Sequence, residues 1–395
     1  MKHSDGVDAE DWRAGGFGLY VHWPFCESKC PYCDFNSHVA QNVNHEAWAA
    51  AYGAEISRLA AVTPGRVLNS VYFGGGTPSL MEPETVGLVI EAAQRAWTPA
   101  NALEVTLEAN PSSVEIGRFR GFADAGVNRV SLGIQALDDK DLRALGRRHD
   151  VRTAKAAWEV ATAVFDRASF DLIYARQNQS LESWGKELTE ALAMSPTHLS
   201  LYQLTIEDGT AFGDRFRRGT LRGLPNDDLG ADMYELTQRM CDGSGMPAYE
   251  VSNHAKPGME SNHNLLYWRG GDYVGIGPGA HGRLTLGGTR YAQAAEKMPT
   301  AWLRSAGQQK SGQTPPHESL DVLEETERAA EYLMMSLRLR EGSDLARFPL
   351  LMTRSETQKG VTELAKMGLL WREGSRIGAT TAGRPLLNAL LRELL

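Results

Sequence analysis

Cys26, Cys30 and Cys33 put three of the chain's four cysteines within eight residues, in Phe25-Cys26-Glu27-Ser28-Lys29-Cys30-Pro31-Tyr32-Cys33-Asp34-Phe35. Iron–sulfur clusters are held by cysteine thiolates, usually four. A compact trio with no fourth partner nearby suits a [4Fe–4S] cluster with one iron left open. An open coordination position marks a reactive metal centre, whereas structural sites are closed. Zinc also fits the trio, because His22 or His38 is near enough in the chain to serve as a fourth ligand. A disulfide framework fits poorly, since it needs an even set of cysteines in a secreted chain. Cys241 reads as a half-buried helical cysteine.

The elements that must position the trio follow from periodicity. Phe17 to Val21 reads as a strand running into the cysteine loop. Helical spacing from Asn44 to Ala61 begins at a capping residue. Strand-like runs follow at Val67–Phe73, Leu103–Leu107, Arg129–Ile134, Phe170–Tyr174 and His198–Leu204. Between and after them the spacing predicts helices near Pro83–Trp97, Asp138–Leu145, Val151–Val164, Leu181–Met194 and Asp227–Gly243. Six strands alternating with helices mean a parallel sheet with crossover helices. Right-handed crossovers curl such a sheet toward a barrel, and six units rather than eight predict a partial (β/α)6 barrel, an α/β fold.

In β/α barrels chemistry sits at the carboxyl ends of the strands. The cysteine loop, Gly74-Gly75-Gly76-Thr77-Pro78, Glu108, Gln135 and Asp171 all fall at such ends. Each alone is no more than a turn or a polar strand end; five on one rim form a candidate site. Glycines let the backbone approach a ligand closely and take positive φ, and Pro78 stiffens the exit. Glu108 and Gln135 suit hydrogen bonds to hydroxyl or amino groups. Arg147 suits a carboxylate, although Arg147-Arg148 also reads as a solvated helix end.

The rest of the chain is less regular. Residues 1–16 read as a flexible leader, polar and acidic, without the apolar core of a secretory signal. Residues 17–245 are assigned to the barrel. Residues 246–317 read as a barrel-mouth extension and connector, rich in Gly, Asn and His, and containing His263, Asn264, Tyr267 and Trp268. Histidine is a common haem and metal ligand and aromatic faces pack on flat ligands; a loop packed on the barrel mouth accounts for the same residues. Residues 318–395 are helical with a β-like pair near Leu370–Trp371 and Arg376–Ala379, a winged-helix-like pattern. It lacks a basic stripe, and the net charge of the chain is −8. Nucleic acid is therefore not an expected partner, and a packing or partner surface is. No apolar run is long enough for a transmembrane helix. Clustered, ligand-type cysteines suit a reducing cytoplasm.

Taken together, the motifs resemble a known family. Tyr20-x-His22-x-Pro24-Phe25-Cys26-x3-Cys30-x-Tyr32-Cys33, Gly74–Pro78, Glu108-Ala109-Asn110-Pro111, Ser131–Gln135 and Asp171–Tyr174 look like the oxygen-independent coproporphyrinogen III oxidase group of radical S-adenosylmethionine (SAM) proteins. The resemblance implies that Cys26, Cys30 and Cys33 hold a [4Fe–4S] cluster. It also implies that Tyr20, Tyr32, Gly75, Gly76, Thr77, Glu108, Gln135, Arg147 and Asp171 contact SAM. Two features resemble the HemW-type haem chaperones within that group. The oxidase carries a fourth cysteine two residues after the third, where this chain has Phe35. His263-Asn264-x2-Tyr267-Trp268 looks like the branch's haem-associated motif, which makes those four residues the haem candidates. Ala175-Arg176-Gln177 departs from the more usual Pro-Gly-Gln after the Asp-Leu-Ile-Tyr segment. The resemblance implies a protein that binds haem and passes it to an acceptor, with a respiratory protein and peripheral contact at a membrane among the expectations. The other activity it implies is oxidative decarboxylation of coproporphyrinogen III.

Overall fold

The computed structural model describes residues 10–40, 42–111, 116–306 and 318–395. β1 (Phe17–Trp23) is buried along nearly its whole length. A strand of this kind needs neighbours on both edges and cover on both faces. The chain leaves β1 for the cysteine loop, which closes on a short parallel pair, β2 (Phe25–Cys26) and β3 (His38–Val39). Then follow α1 (His45–Val62), β4 (Val67–Gly75), α2 (Pro83–Ala96), β5 (Thr98–Ala109), α3 (Ile116–Asp124) and β6 (Arg129–Gln135). After them come α4 (Asp139–Ala144), α5 (Val151–Val164), β7 (Arg167–Tyr174), α6 (Leu181–Ala193), β8 (His198–Gln203), α7 (Ala211–Arg217) and α8 (Asp227–Gly243). Strands β1, β4, β5, β6, β7 and β8 lie side by side in that order, each parallel to the next. This is the partial (β/α)6 barrel expected from the alternation. The helices start where side chains satisfy free backbone N–H groups: Asn44 caps α1, Asp150 caps α5, Ser180 caps α6 and Asn226 caps α8.

Residues 246–317, read as a mouth extension and connector, carry regular structure of their own. β9 (Asn253–Ala255) adds antiparallel to β8, α9 (Asn262–Trp268) follows, and β10 (Asp272–Ile276) inserts parallel to β1. β11 (His281–Leu286), β12 (Thr289–Ala295) and β13 (Glu318–Val322) continue the sheet antiparallel, to eleven strands among the described residues. α10 (Pro299–Ser305) packs back on α1, with Trp302 stacked on Trp48 at 5.4 Å. The segment therefore extends both edges of the barrel sheet. Its strands were hard to see because they are short and interrupted by glycine. The described part of the segment read as a leader is also packed. Residues 1–9 lie outside the described residues, but Asp11–Ala14 form a 3-10 turn. Asp11 pairs with Arg347 at 2.8 Å, and the Trp12 ring lies under the Arg66 guanidinium at 4.2 Å.

The C-terminal unit has its own core of Leu333, Val361, Leu370, Ile377, Leu390 and Leu394. It comprises α11 (Glu325–Ser336), α12 (Pro349–Thr353), α13 (Ser355–Lys366) and α14 (Leu387–Leu394) around a small antiparallel sheet. The sheet order is β14 (Ser343–Asp344), β16 (Arg376–Ala379), β15 (Leu370–Glu373). The hairpin is the wing expected from sequence. No helix among the described residues is long and apolar enough to cross a membrane.

One buried charge ties the inserted strands to the barrel. Asp272, fully buried at the start of β10, takes Arg66 at 2.6 Å and Arg290 at 2.9 Å, and accepts from the Thr285 N–H and hydroxyl. Removing one member of such a set strands the remaining buried charges, at a cost of about 3–5 kcal/mol. Asp272→Ala is expected to lower the unfolding free energy read from urea denaturation by that order, and an unchanged free energy would show that the ion network does not hold β10 in place.

Candidate functional site

The cysteine loop and the glycine loop are built against each other. The Gly76 N–H donates to the Trp23 carbonyl at 2.7 Å and the Thr77 N–H to the Phe25 carbonyl at 2.8 Å. Gly75 adopts φ +107°, and a Cβ at Gly76 would stand 2.6 Å from the Phe25 carbonyl oxygen. The glycines are thus required by the close approach of two loops as well as by any ligand. The Thr77 hydroxyl donates to Cys26 Sγ at 3.4 Å.

All three thiols of the trio are partly exposed. Burial pushes the Cys26 and Cys33 thiols up, and the Cys30 charge adds to both. Of the two histidines offered as a fourth ligand, His22 has both ring nitrogens engaged and His38 has one. His22 pairs Nδ1 with the Tyr20 hydroxyl at 3.1 Å and Nε2 with the Asn36 carbonyl at 2.9 Å. His38 Nε2 faces Asn36 Oδ1 at 3.3 Å. Among the described residues, no three His, Cys, Asp or Glu side chains converge as a single-ion cage would require. The donor set is three thiols and nothing else, which fits a cluster with an open iron and not a four-ligand zinc site. Asn36 also pins the loop, donating through Nδ2 to the Pro278 and Lys297 carbonyls.

Arg147 and Arg148 divide the two readings that the sequence left open for them. Arg148 is exposed. Arg147 turns inward and donates to Cys30 Sγ at 3.4 Å, the Tyr32 hydroxyl at 3.3 Å, Asn110 Oδ1 at 2.7 Å and the Gly133 carbonyl at 2.9 Å. Hydrogen bonds and positive charge near cluster sulfurs tune their potential.

Deeper on the rim, strand register gathers the carboxylates. Tyr20 aligns with Tyr72, Glu108 with Ser131, and Asp171 with Ser200. The Tyr72 hydroxyl donates to Glu108 at 2.7 Å and Ser131 to Asp171 at 3.4 Å. Burial is the main reason that Glu108 is pushed up to about 7 and Asp171 to about 6. Gln135 ends β6 at φ +73°, with its Oε1 buried and without a hydrogen-bond partner. An orphaned acceptor at the end of β6 and two carboxyls held partly neutral on the neighbouring strands suit a cationic, hydrogen-bond-donating ligand. Tyr72 and Asn36 are contributors that the sequence reading did not single out, and Asn110 and Ser131 entered it only as members of longer motifs. Tyr72 had a signal, since it is two residues before Gly74 and thus on the same face of β4.

The haem candidates lie elsewhere. His263 is buried in the barrel wall, with Nδ1 at 3.2 Å from Ser70 Oγ and its ring stacked on Tyr72 at 4.3 Å. Burial, with Arg129 nearby, pushes it down to about 3, so the ring is neutral. Asn264 Nδ2 donates to the Tyr249 hydroxyl at 3.0 Å. Tyr267 packs edge-on against His263 at 4.4 Å. Trp268 is half-buried under Arg338. The four are not gathered at one surface.

Residues 20–189 match the model of the radical SAM superfamily, and 323–386 match that of the HemN C-terminal domain. Heme chaperone HemW of Escherichia coli K12 is 36% identical over 333 residues, with 84% of each chain covered. Heme chaperone HemW of Mycobacterium tuberculosis H37Rv is 36% identical over 383 residues, covering 96% of this chain and 95% of that one. The chain belongs to the HemW family of radical SAM proteins. Radical S-adenosyl methionine domain-containing protein 1, mitochondrial, of Bos taurus is 38% identical, covering 95% of this chain and 87% of that protein. The fold matches coproporphyrinogen III oxidase HemN of E. coli with a TM-score of 0.78, at 21% identity, over 98% of this chain and 92% of that one. Membership of the radical SAM superfamily implies a [4Fe–4S] cluster and SAM as cofactors, and the three-thiol donor set of this HemW-family chain fits the cluster.

Glu108 gives a test of the rim electrostatics. Its folded value lies above that of an ordinary carboxyl, so the fold holds the proton more tightly than the unfolded chain does. The associated stability is complete below about pH 4 and is lost as pH rises through about 7. Glu108→Gln cannot lose that proton. The variant is expected to lose less stability than the parent between about pH 4.5 and 7.5, read as urea midpoints at the two values. Equal losses would mean that Glu108 is already ionised in the ligand-free fold.

Proposed function

We propose that this chain is a haem chaperone that carries a [4Fe–4S] cluster and SAM and transfers haem to an acceptor protein. The observation that carries the reading is Phe35. It lies two residues past Cys33, where the resembling oxidase has a fourth cysteine, and it is 55% exposed. The HemW relatives, similar over most of both chains, support the same choice, and decarboxylation of coproporphyrinogen III is the less favoured activity.

In this reading Cys26, Cys30 and Cys33 hold the cluster, which supplies one-electron chemistry when bound. Arg147 holds the Cys30 sulfur in a positive field and fixes Tyr32 beside it. Gly75, Gly76 and Thr77 offer backbone groups to the amino-acid end of SAM. Glu108, Gln135 and Asp171 receive its amino and ribose donors, and Tyr20 closes the wall through His22. A cationic ligand ionises Glu108, so SAM affinity rises with pH through about 7.

His263, Asn264, Tyr267 and Trp268 are the proposed haem residues. Support comes from the aromatic edge of α9, where the Trp268 Nε1 is buried without a partner. His263 lies below that edge, packed against Tyr267 and Tyr72. A cytoplasmic setting, which keeps the thiols reduced, and a respiratory acceptor complete the proposal.

The test uses anaerobically reconstituted protein. Haem titration followed by absorbance is expected to saturate near one haem per chain. Incubation with SAM and coproporphyrinogen III is expected to leave the propionates intact. Protoporphyrinogen appearing with matching 5′-deoxyadenosine would make the protein an oxidase despite Phe35. Cys30→Ala is expected to lose the cluster's visible absorbance.

A further inference from the structure

A cavity of about 90 Å³ lies where the barrel meets the C-terminal unit, between the end of α9, strands β10 to β12, and helices α11 and α12. Tyr267, Tyr273, Tyr332 and Phe348 give it aromatic walls. Three guanidinium groups line it, those of Arg283, Arg290 and Arg328, against the single carboxylate of Glu331. That carboxylate is committed to Arg283 at 2.8 Å. Arg290 is committed to Asp272, which is already shared with Arg66.

Arg328 is left over. Among the described residues its side chain makes no ion pair or hydrogen bond, and its Nε is buried without a partner. Burial and the Arg290 charge weaken its hold on a proton. Asp11, Asp272 and Glu325 act in the opposite sense from a distance, but Asp11 is bound to Arg347 and Asp272 to two other arginines. The side chain is half-buried, and its Nε donor is shut away from water without an acceptor, which is unfavourable; the planar donors of a guanidinium match a carboxylate or phosphate. The cavity has room for one such head group and not for a macrocycle. Tyr267, one of its walls, packs on its other side against His263.

We propose that this cavity is a carboxylate site, anchored by Arg328, that takes a propionate arm of haem held along α9. The proposal rests on the haem-chaperone reading. It places the macrocycle outside the cavity, against the aromatic edge of α9, and makes the junction between barrel and C-terminal unit part of the cargo site. A free carboxylate or phosphate presents the same chemistry and is the alternative source.

The test titrates haem and haem dimethyl ester, whose propionates are neutralised, into the full-length parent, Arg328→Gln and Arg328→Lys. Arg328 supports no other side chain, so both variants are expected to melt like the parent. The parent is expected to bind haem at least tenfold more tightly than the ester. Arg328→Gln is expected to lose that preference and Arg328→Lys to keep part of it. Preference retained in Arg328→Gln overturns the proposal. Thermal melting with sodium propionate and with inorganic phosphate separates the sources. If the parent binds no haem, the chaperone reading fails. Anion stabilisation that disappears in Arg328→Gln would then preserve the anion site and overturn its haem assignment. No stabilisation by either anion in that case overturns the site altogether.

Discussion

A side chain at position 76 would bring its Cβ to 2.6 Å from the Phe25 carbonyl oxygen. That approach, closer than a real Cβ contact allows, presses the glycine loop against the cysteine loop and leaves the thiols facing the rim. The backbone bonds from Gly76 and Thr77 to Trp23 and Phe25 hold the two loops as one piece. His22 and Asn36 hold the same piece from the other side, because the His22 ring spans from the Tyr20 hydroxyl to the Asn36 carbonyl. One of the two histidines that the sequence offers as a metal ligand, His22, is thus used to hold the loops together.

The rim inside that piece is electrostatically unfinished. Burial raises the proton affinity of both Glu108 and Asp171, and the Asp171 charge raises that of Glu108 further. Tyr72 and Ser131 offset part of this by donating hydrogen bonds. Arg147 spends its donors on the cluster loop, Asn110 and Gly133, so it helps Asp171 only through its field. Two carboxyls poised near neutrality and one orphaned amide oxygen at Gln135 suit the positively charged, donor-rich ligand proposed for this rim.

How much of this could be read in advance depended on scale. The six buried strands and their helices were legible because apolar runs and caps repeat at the right spacing. β1, α5 and α8 fall almost where periodicity put them. The rim residues were legible because each ends a strand. What escaped was anything set by distant pairing. β10 is five residues between glycines, and only its parallel register with β1 and the burial of Asp272 make it part of the sheet. Asp11 looked like part of a loose leader because its partner, Arg347, is 336 residues away. Arg147 could not be told from Arg148 by composition, since the choice is made by which one points at Cys30.

The placement of α9 bears most on function. This seven-residue helix is too short to hold itself. Its N-terminus is fixed by the buried carboxylate of Glu104, which accepts from the Ser261 hydroxyl and the Asn262 and His263 N–H groups, and pairs with Arg167. The first turn is thereby welded to β5 and β7, strands whose carboxyl ends form the rim. Its last turn faces the C-terminal unit, where Tyr267 and Trp268 meet α11 residues and Arg338. Between these ends His263 lies against Tyr72, the same tyrosine that donates to Glu108. One stacked ring therefore joins Glu108, a proposed SAM residue, to the helix proposed to carry haem. Occupancy of the rim and exposure of the α9 edge share a wall, and a change in the hydrogen bond at Tyr72 is felt first by His263.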